Sequence, residues 1–183
     1  MKIEELVAGS PVISLVGKTE KDPEVHSFLE KLKQLDTEIL IYEPEDQDIK
    51  DKNDKWACYW SEPLGFCIEL LDGVVAYVSF NQNVPKGIDP LYEEFFAGVH
   101  TKKDVSKLLR KSDKFGDRVE QWYVGKDMLL GMLYDYDDND KLTYVSFGTQ
   151  KIFSDPDNVP NRHSPIMETL YDLPEGEYED DFE

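Results

Sequence analysis

Between Trp56 and Asn81 the chain reads WACYWSEPLGFCIELLDGVVAYVSFN, and this stretch leaves little freedom of architecture. The runs 56–60, 65–71 and 74–81 are rich in aromatic and β-branched residues, the side chains that pack best on a pleated surface. Turn residues at 61–64, Pro63 among them, separate the first two. Asp72–Gly73 separates the last two by two residues. A hairpin turn of that length needs positive φ at both positions, which Asp tolerates and Gly adopts freely. The order then recurs. A run over 119–124 turns at Gly125–Asp127 into 128–136, and 137–140 turn that run into 141–147. The last strand of each set contains Tyr-Val-Ser-Phe, at 77–80 and again at 144–147.

A helix is predicted ahead of each set. Asp22 suits the N-cap and Pro23 the first helical position, after which Val25, Phe28, Leu29, Leu32 and Leu35 recur at helical spacing. Thr101 caps a second helix carrying Val105, Leu108 and Leu109 and ending near Ser112. A short helix over 3–9, stopping at Gly9, is a further candidate. Tyr-Val-Ser-Phe is common strand vocabulary by itself; the repeated order of elements is what argues for duplication. The expected fold is therefore α+β. Two tandem helix-plus-antiparallel-meander units, 1–93 and 94–150, join into one larger antiparallel sheet with helices on one face and the other face open. Residues 43–55 are nearly all polar or charged and read as loop. Residues 151–183 read as loop and then an acidic tail, because its acids are met by no base and repel one another.

Charge bounds the partners. Acids number 39 against 20 Lys and Arg, a formal net charge of −19. A nucleic-acid binder draws most of its affinity from neutralising phosphates, so this balance excludes that class, and an anionic membrane surface repels the chain as well. A basic protein partner, or solubility alone, fits the charge. Glu4 and Glu5 stand where a signal peptide needs a basic region, and no run approaches a membrane span, so a cytoplasmic location is expected. Cys58 and Cys67 are too few for a disulfide scaffold and are expected as buried thiols facing each other across the first hairpin.

Motifs of catalysis fail on inspection. Gly17-Lys18-Thr19 ends a phosphate-binding loop in letters only, because the glycine required five residues earlier is Val12. Asp135, Asp137 and Asn139 fall on the first positions of a calcium loop. Its sixth position is Asp140 instead of Gly, and its twelfth is Ser146 instead of a bidentate Glu. His26, His100 and His163 are dispersed, and no serine has a nucleophile-elbow setting. No enzyme, cofactor or metal is expected.

The stretches LVGKTEKDPEVHSFLEKL, WACYWSEPLGFCIELLDGVVAYVSF, FFAGVHTKKDVSKLLRKSD and WYVGKDMLLGMLYDYDDNDKLTYVSF carry a resemblance over roughly 15–148. The helix-then-sheet pattern resembles the beta-lactamase inhibitor protein and OmlA-like domains. More specifically, it resembles immunity proteins of bacterial polymorphic toxin systems, contact-dependent inhibition and type VI secretion among them. The resemblance implies a binder that neutralises a cognate toxin domain, a basic nuclease above all, by occluding its active site. The residues expected to grip it are Trp60, Trp122, Tyr134 and Tyr136 as aromatic anchors. Asp135, Asp137, Asp138 and Asp140 at the hairpin tip, with Glu177, Glu179, Asp180 and Asp181 in the tail, supply the charge. An acidic scaffold or regulatory module without a toxin partner stands as the alternative.

Overall fold

In the computed structural model the predicted strands pair in sequence order into antiparallel ladders. The structure describes residues 5, 9–35, 37–42, 55–61, 64–81, 98–115 and 118–149. The candidate helix at 3–9, the loop from 43 and the tail from 151 lie outside these residues or nearly so. The strands are β1 (Glu38–Tyr42), β2 (Trp56–Ser61), β3 (Phe66–Leu71) and β4 (Val74–Asn81), followed by β5 (Lys114–Phe115), β6 (Val119–Val124), β7 (Met128–Asp135) and β8 (Lys141–Thr149). They form one eight-stranded sheet in the order β1-β2-β3-β4-β8-β7-β6-β5. Each meander therefore has four strands, where sequence predicts three or more and locates three. The added members, β1 and β5, sit at the two edges.

The turns explain the register. Asp72 and Gly73 both adopt positive φ, 50° and 74°, as a two-residue hairpin requires. At the other end of β3 the turn takes residues up to Gly65, which also sits at positive φ, and Ser61 pairs with Phe66. That shifts the hairpin centre by one residue. Trp60 pairs with Cys67, and Cys58 pairs with Glu69, so the expected Cys58–Cys67 opposition is corrected to a diagonal on the same face.

Helix α1 (Pro23–Lys33) begins at Asp22 as expected, but the Asp22 side chain does not cap it. Its Oδ2 accepts instead from the Thr19 backbone N–H at 2.7 Å and the Thr19 hydroxyl at 3.1 Å. Helix α2 (Lys102–Leu108) is capped by Thr101, whose Oγ1 accepts from the Asp104 N–H at 3.2 Å and donates to Asp104 Oδ2 at 2.7 Å. It stops at Leu108, short of Ser112.

Alternation along the strands puts one set of apolar side chains on a single face. Phe66, Ile68 and Leu70 of β3, Val78 and Phe80 of β4, Val145 and Phe147 of β8 and Leu130 and Met132 of β7 form one cluster. Val25, Leu29 and Leu32 of α1 join it, as do Val105 and Leu109 around α2. Phe28 meets Phe66 edge-on, with ring centroids 5.5 Å apart, and Phe66 meets Phe80 at 5.4 Å. Burying a side chain of this size contributes about 1.5–3 kcal/mol, so the cluster is the main source of stability. No helix among the described residues is long and apolar enough to cross a membrane.

Candidate functional site

Two regions carry polar groups that the core does not explain. The first is the predicted acidic tip. Asp135 ends β7, and its Oδ1 accepts from the Asp137 N–H at 3.0 Å. A single 3-10 turn, Tyr136–Asp138, follows, then Asn139 and Asp140, both left-handed with φ of 55°. Asp135, Asp137 and Asp138 are exposed and Asp140 is half-buried. Lys141 Nζ lies 3.6 Å from Asp138. The start of α2 anchors the tip. The Lys102 N–H donates to the Asp140 carbonyl at 3.0 Å, and the Leu142 N–H to the His100 carbonyl at 2.8 Å. The tip is thus a fixed projection bearing three exposed carboxylates.

The aromatic anchors fall differently. Trp122 is 1% exposed and Tyr134 is 2% exposed, so both are core residues and neither offers a surface to a partner. The reason is alternation: Trp122 pairs with Leu130, and Leu130 with Phe147, all on the helix-covered face. Each ring spends its polar end inside the fold, as buried Trp and Tyr require. The Trp122 indole donates to the Arg110 carbonyl at 2.8 Å, and the Tyr134 hydroxyl donates to Glu120 Oε2 at 2.8 Å. Trp60 is half-buried and lies on the opposite face, beside Cys67. The Tyr136 side chain and residues Glu177, Glu179, Asp180 and Asp181 lie outside the described residues.

The second region is that opposite face, expected to be open and found to be buried. The two Tyr-Val-Ser-Phe segments pair with each other at its centre. Ser79 lies directly opposite Ser146, with Tyr77 opposite Gly148. Tyr77 and Tyr144 reach towards each other along the seam, and their hydroxyls meet at 3.0 Å. Gly148 is required here. A Cβ at that position would come within 2.9 Å of both the Ala76 carbonyl oxygen and the Tyr77 ring. Ser146 is fully buried, and its Oγ has no hydrogen-bond partner.

One register step away lies a cluster that sequence reading did not assemble. Cys58 and Cys67 are 3% exposed and Glu69 is 0% exposed. The two Sγ atoms are 3.5 Å apart, and the Cys67 thiol donates to Glu69 Oε1 at 3.5 Å. Glu69 Oε2 is buried with no hydrogen-bond partner. Burial pushes the Glu69 carboxyl up to about 8, although the Cys67 bond pulls the other way. The bond to Cys58, then burial and the nearby Glu69, hold the Cys67 thiol well above its ordinary range. Among the described residues these three are the one group of Cys, His, Asp and Glu whose ligand atoms converge within 4.8 Å. The signal available in the sequence was Glu69 itself, an acid inside the apolar run FCIELL, where a strand covered on both faces has no cheap place for it. Comparison with family models, curated proteins and solved structures finds no match for the chain.

Proposed function

We propose that the chain is an immunity-type inhibitor, a protein-binding module that neutralises a basic bacterial toxin domain. The observation that carries this reading is the acidic tip: Asp135, Asp137 and Asp138 are exposed on a projection fixed by β7, β8 and α2, in a chain of net charge −19. A nuclease groove is basic because its substrate is a polyanion, and an acidic projection matches it in sign. Such complementarity speeds encounter and rejects wrong partners more than it raises affinity. Asp140, half-buried and bonded through its carbonyl, positions the tip instead of making contact. Trp122 and Tyr134 take no part, being core residues.

The test is association kinetics with a basic toxin domain encoded next to this chain, and the lack of any such neighbour would count against the toxin reading. Replacing Asp135, Asp137 and Asp138 together by Asn is expected to slow association at least tenfold at low salt and to flatten its salt dependence. Equal rates and equal salt slopes for the variant and the parent would remove the tip from the interface. Failure to bind that neighbour would remove the toxin reading and leave the scaffold alternative.

The fold reading extends to origin: we infer that the two meanders are copies of one unit. Support comes from the strand order, in which β1 and β5, β2 and β6, β3 and β7, and β4 and β8 stand equally far from the centre. Support also comes from Ser79 pairing with Ser146, the same position of the repeated tetrapeptide. Relatives of this chain provide the test, since copies should keep the two tetrapeptides in step. Relatives in which the β4 and β8 segments align out of register would overturn the inference.

A further inference from the structure

We propose that Cys58, Cys67 and Glu69 form a binding site for a thiophilic divalent cation, zinc above all. The argument begins with donor geometry. Tetrahedral zinc with Zn–S near 2.3 Å and Zn–O near 2.0–2.2 Å places two sulfurs about 3.8 Å apart and a sulfur and an oxygen about 3.5 Å apart. The separations here are 3.5 Å for Cys58 Sγ to Cys67 Sγ and 3.5 Å for Cys67 Sγ to Glu69 Oε1. Both edges match to within a few tenths of an ångström, and the ligand atoms of all three residues lie within 4.8 Å of one another.

The orphaned oxygen is the second observation. Glu69 Oε2 is wholly buried and has no partner, although buried polar atoms are nearly always bonded. It belongs to the same carboxyl as Oε1, so an ion held by Oε1 would lie beside it. Two sulfurs and one carboxylate oxygen supply three of zinc's four positions, and Oε2 leans on the ion as a longer second contact of the same group.

The ligand types select the metal. Magnesium and calcium take six or more oxygens, which this set does not offer, and two soft thiolates favour zinc. The three ligands come from adjacent strands, with Glu69 opposite Cys58 and two residues along from Cys67, so the backbone ladder fixes their spacing. Binding is an exchange. The two thiols and the Glu69 carboxyl bind as anions, whatever protons they hold pass to solvent water, and the cation takes one lone pair from each group in their place. No oxidant is needed, and both sulfurs stay reduced.

The site is buried, so the metal is offered during folding. The full chain is unfolded in denaturant with a thiol reductant, refolded with one equivalent of Zn(II) or Co(II), and desalted. The expected result is one retained ion per chain and, for cobalt, a thiolate-to-metal charge-transfer band with the intense visible absorption of tetrahedral Co(II). Cys58→Ser and Cys67→Ser are expected to abolish the charge-transfer band or halve it. Glu69→Gln keeps a group of the same shape; once native circular dichroism shows that it folds, it is expected to weaken zinc binding roughly 100-fold or more. Refolded parent that holds no metal would overturn the proposal. So would an unchanged cobalt spectrum in folded Glu69→Gln, which would place the ion elsewhere.

Discussion

Glu69→Gln should stabilise the metal-free protein, and by an amount that grows with pH. Glu69 is 0% exposed and faces Cys58 on β2 and Tyr77 on β4 across the ladder. Its carboxyl is raised from 4.5 to about 8, chiefly by burial. A raised folded value means that the native state holds its proton more tightly than the unfolded chain does. The native state is therefore fully favoured below pH 4.5. It loses ground as pH rises, because the unfolded chain ionises while Glu69 stays neutral, until Glu69 itself ionises near pH 8. At about 1.4 kcal/mol for each pH unit between the two values, the loss is about 3 kcal/mol at pH 7 and about 5 kcal/mol above pH 8. Gln is neutral throughout and removes this slope. Asp104 and Asp113, lowered mainly by their bonds to Thr101 and Arg110, act in a separate window below pH 4 and with the opposite sign. Urea unfolding with a chelator and a reductant, at pH 5, 7 and 8.5, measures the difference. With a slope of roughly 1–3 kcal/mol per molar urea, the variant's midpoint should exceed the parent's by at least about 1 M at pH 7 and by roughly a quarter of that shift at pH 5. Parallel profiles for the two proteins would show that Glu69 is already ionised, or already solvated, in the native state.

Two further perturbations test the packing. Gly148→Ala is expected to destabilise by about 1–3 kcal/mol, because the added Cβ meets a backbone carbonyl and the Tyr77 ring at 2.9 Å, and thermal unfolding reads the change. Retention of the parent melting temperature would mean that Tyr77 does not lie over Gly148. Thr101→Ala removes the α2 cap and is expected to cost about 1 kcal/mol, with faster amide exchange at Asp104 than in the parent. Unchanged exchange there would deny the cap its role.

The parts of this fold that were legible in the sequence are those where one local rule decides. Asp72–Gly73 dictated its own turn, and Val74–Asn81 and Val119–Val124 ran to the bounds that alternation predicted. The edges were not legible. Glu38–Tyr42 is a five-residue strand after a helix, and Lys114–Phe115 has only two residues, so neither carries a period long enough to read. The acidic tip was legible because charge at a turn needs no tertiary information. Two of the four expected anchors, Trp122 and Tyr134, turned out to be core residues, because neighbours in a strand such as Trp122 and Tyr123 face opposite ways and sequence does not say which way is in. The Cys58–Cys67–Glu69 group depended on a register set by Gly65. A hairpin centre misplaced by one residue moves every cross-strand partner by two.

The two halves of the sheet offer a comparison that bears on why the cluster exists. Counting outward from the paired Ser79 and Ser146, Cys67 opposes Ser79 and Gly131 opposes Ser146. Continuing outward, Glu69 opposes Tyr77 where Leu133 opposes Tyr144. Cys58 opposes Glu69 where Val119 opposes Leu133. The same ladder thus accommodates Val, Gly and Leu on one side and Cys, Cys and Glu on the other. Sheet geometry does not demand the polar set. With its carboxyl raised to about 8, Glu69 would oppose folding at neutral pH by about 3 kcal/mol, a large share of the 5–15 kcal/mol that separates most folded domains from their unfolded chains. A ligand that binds only the folded chain offsets such a loss through its own binding free energy, by about 2.7 kcal/mol at a concentration 100 times its dissociation constant. A bound cation would also give Oε2 the partner it lacks, which no rearrangement of the apolar neighbours could do.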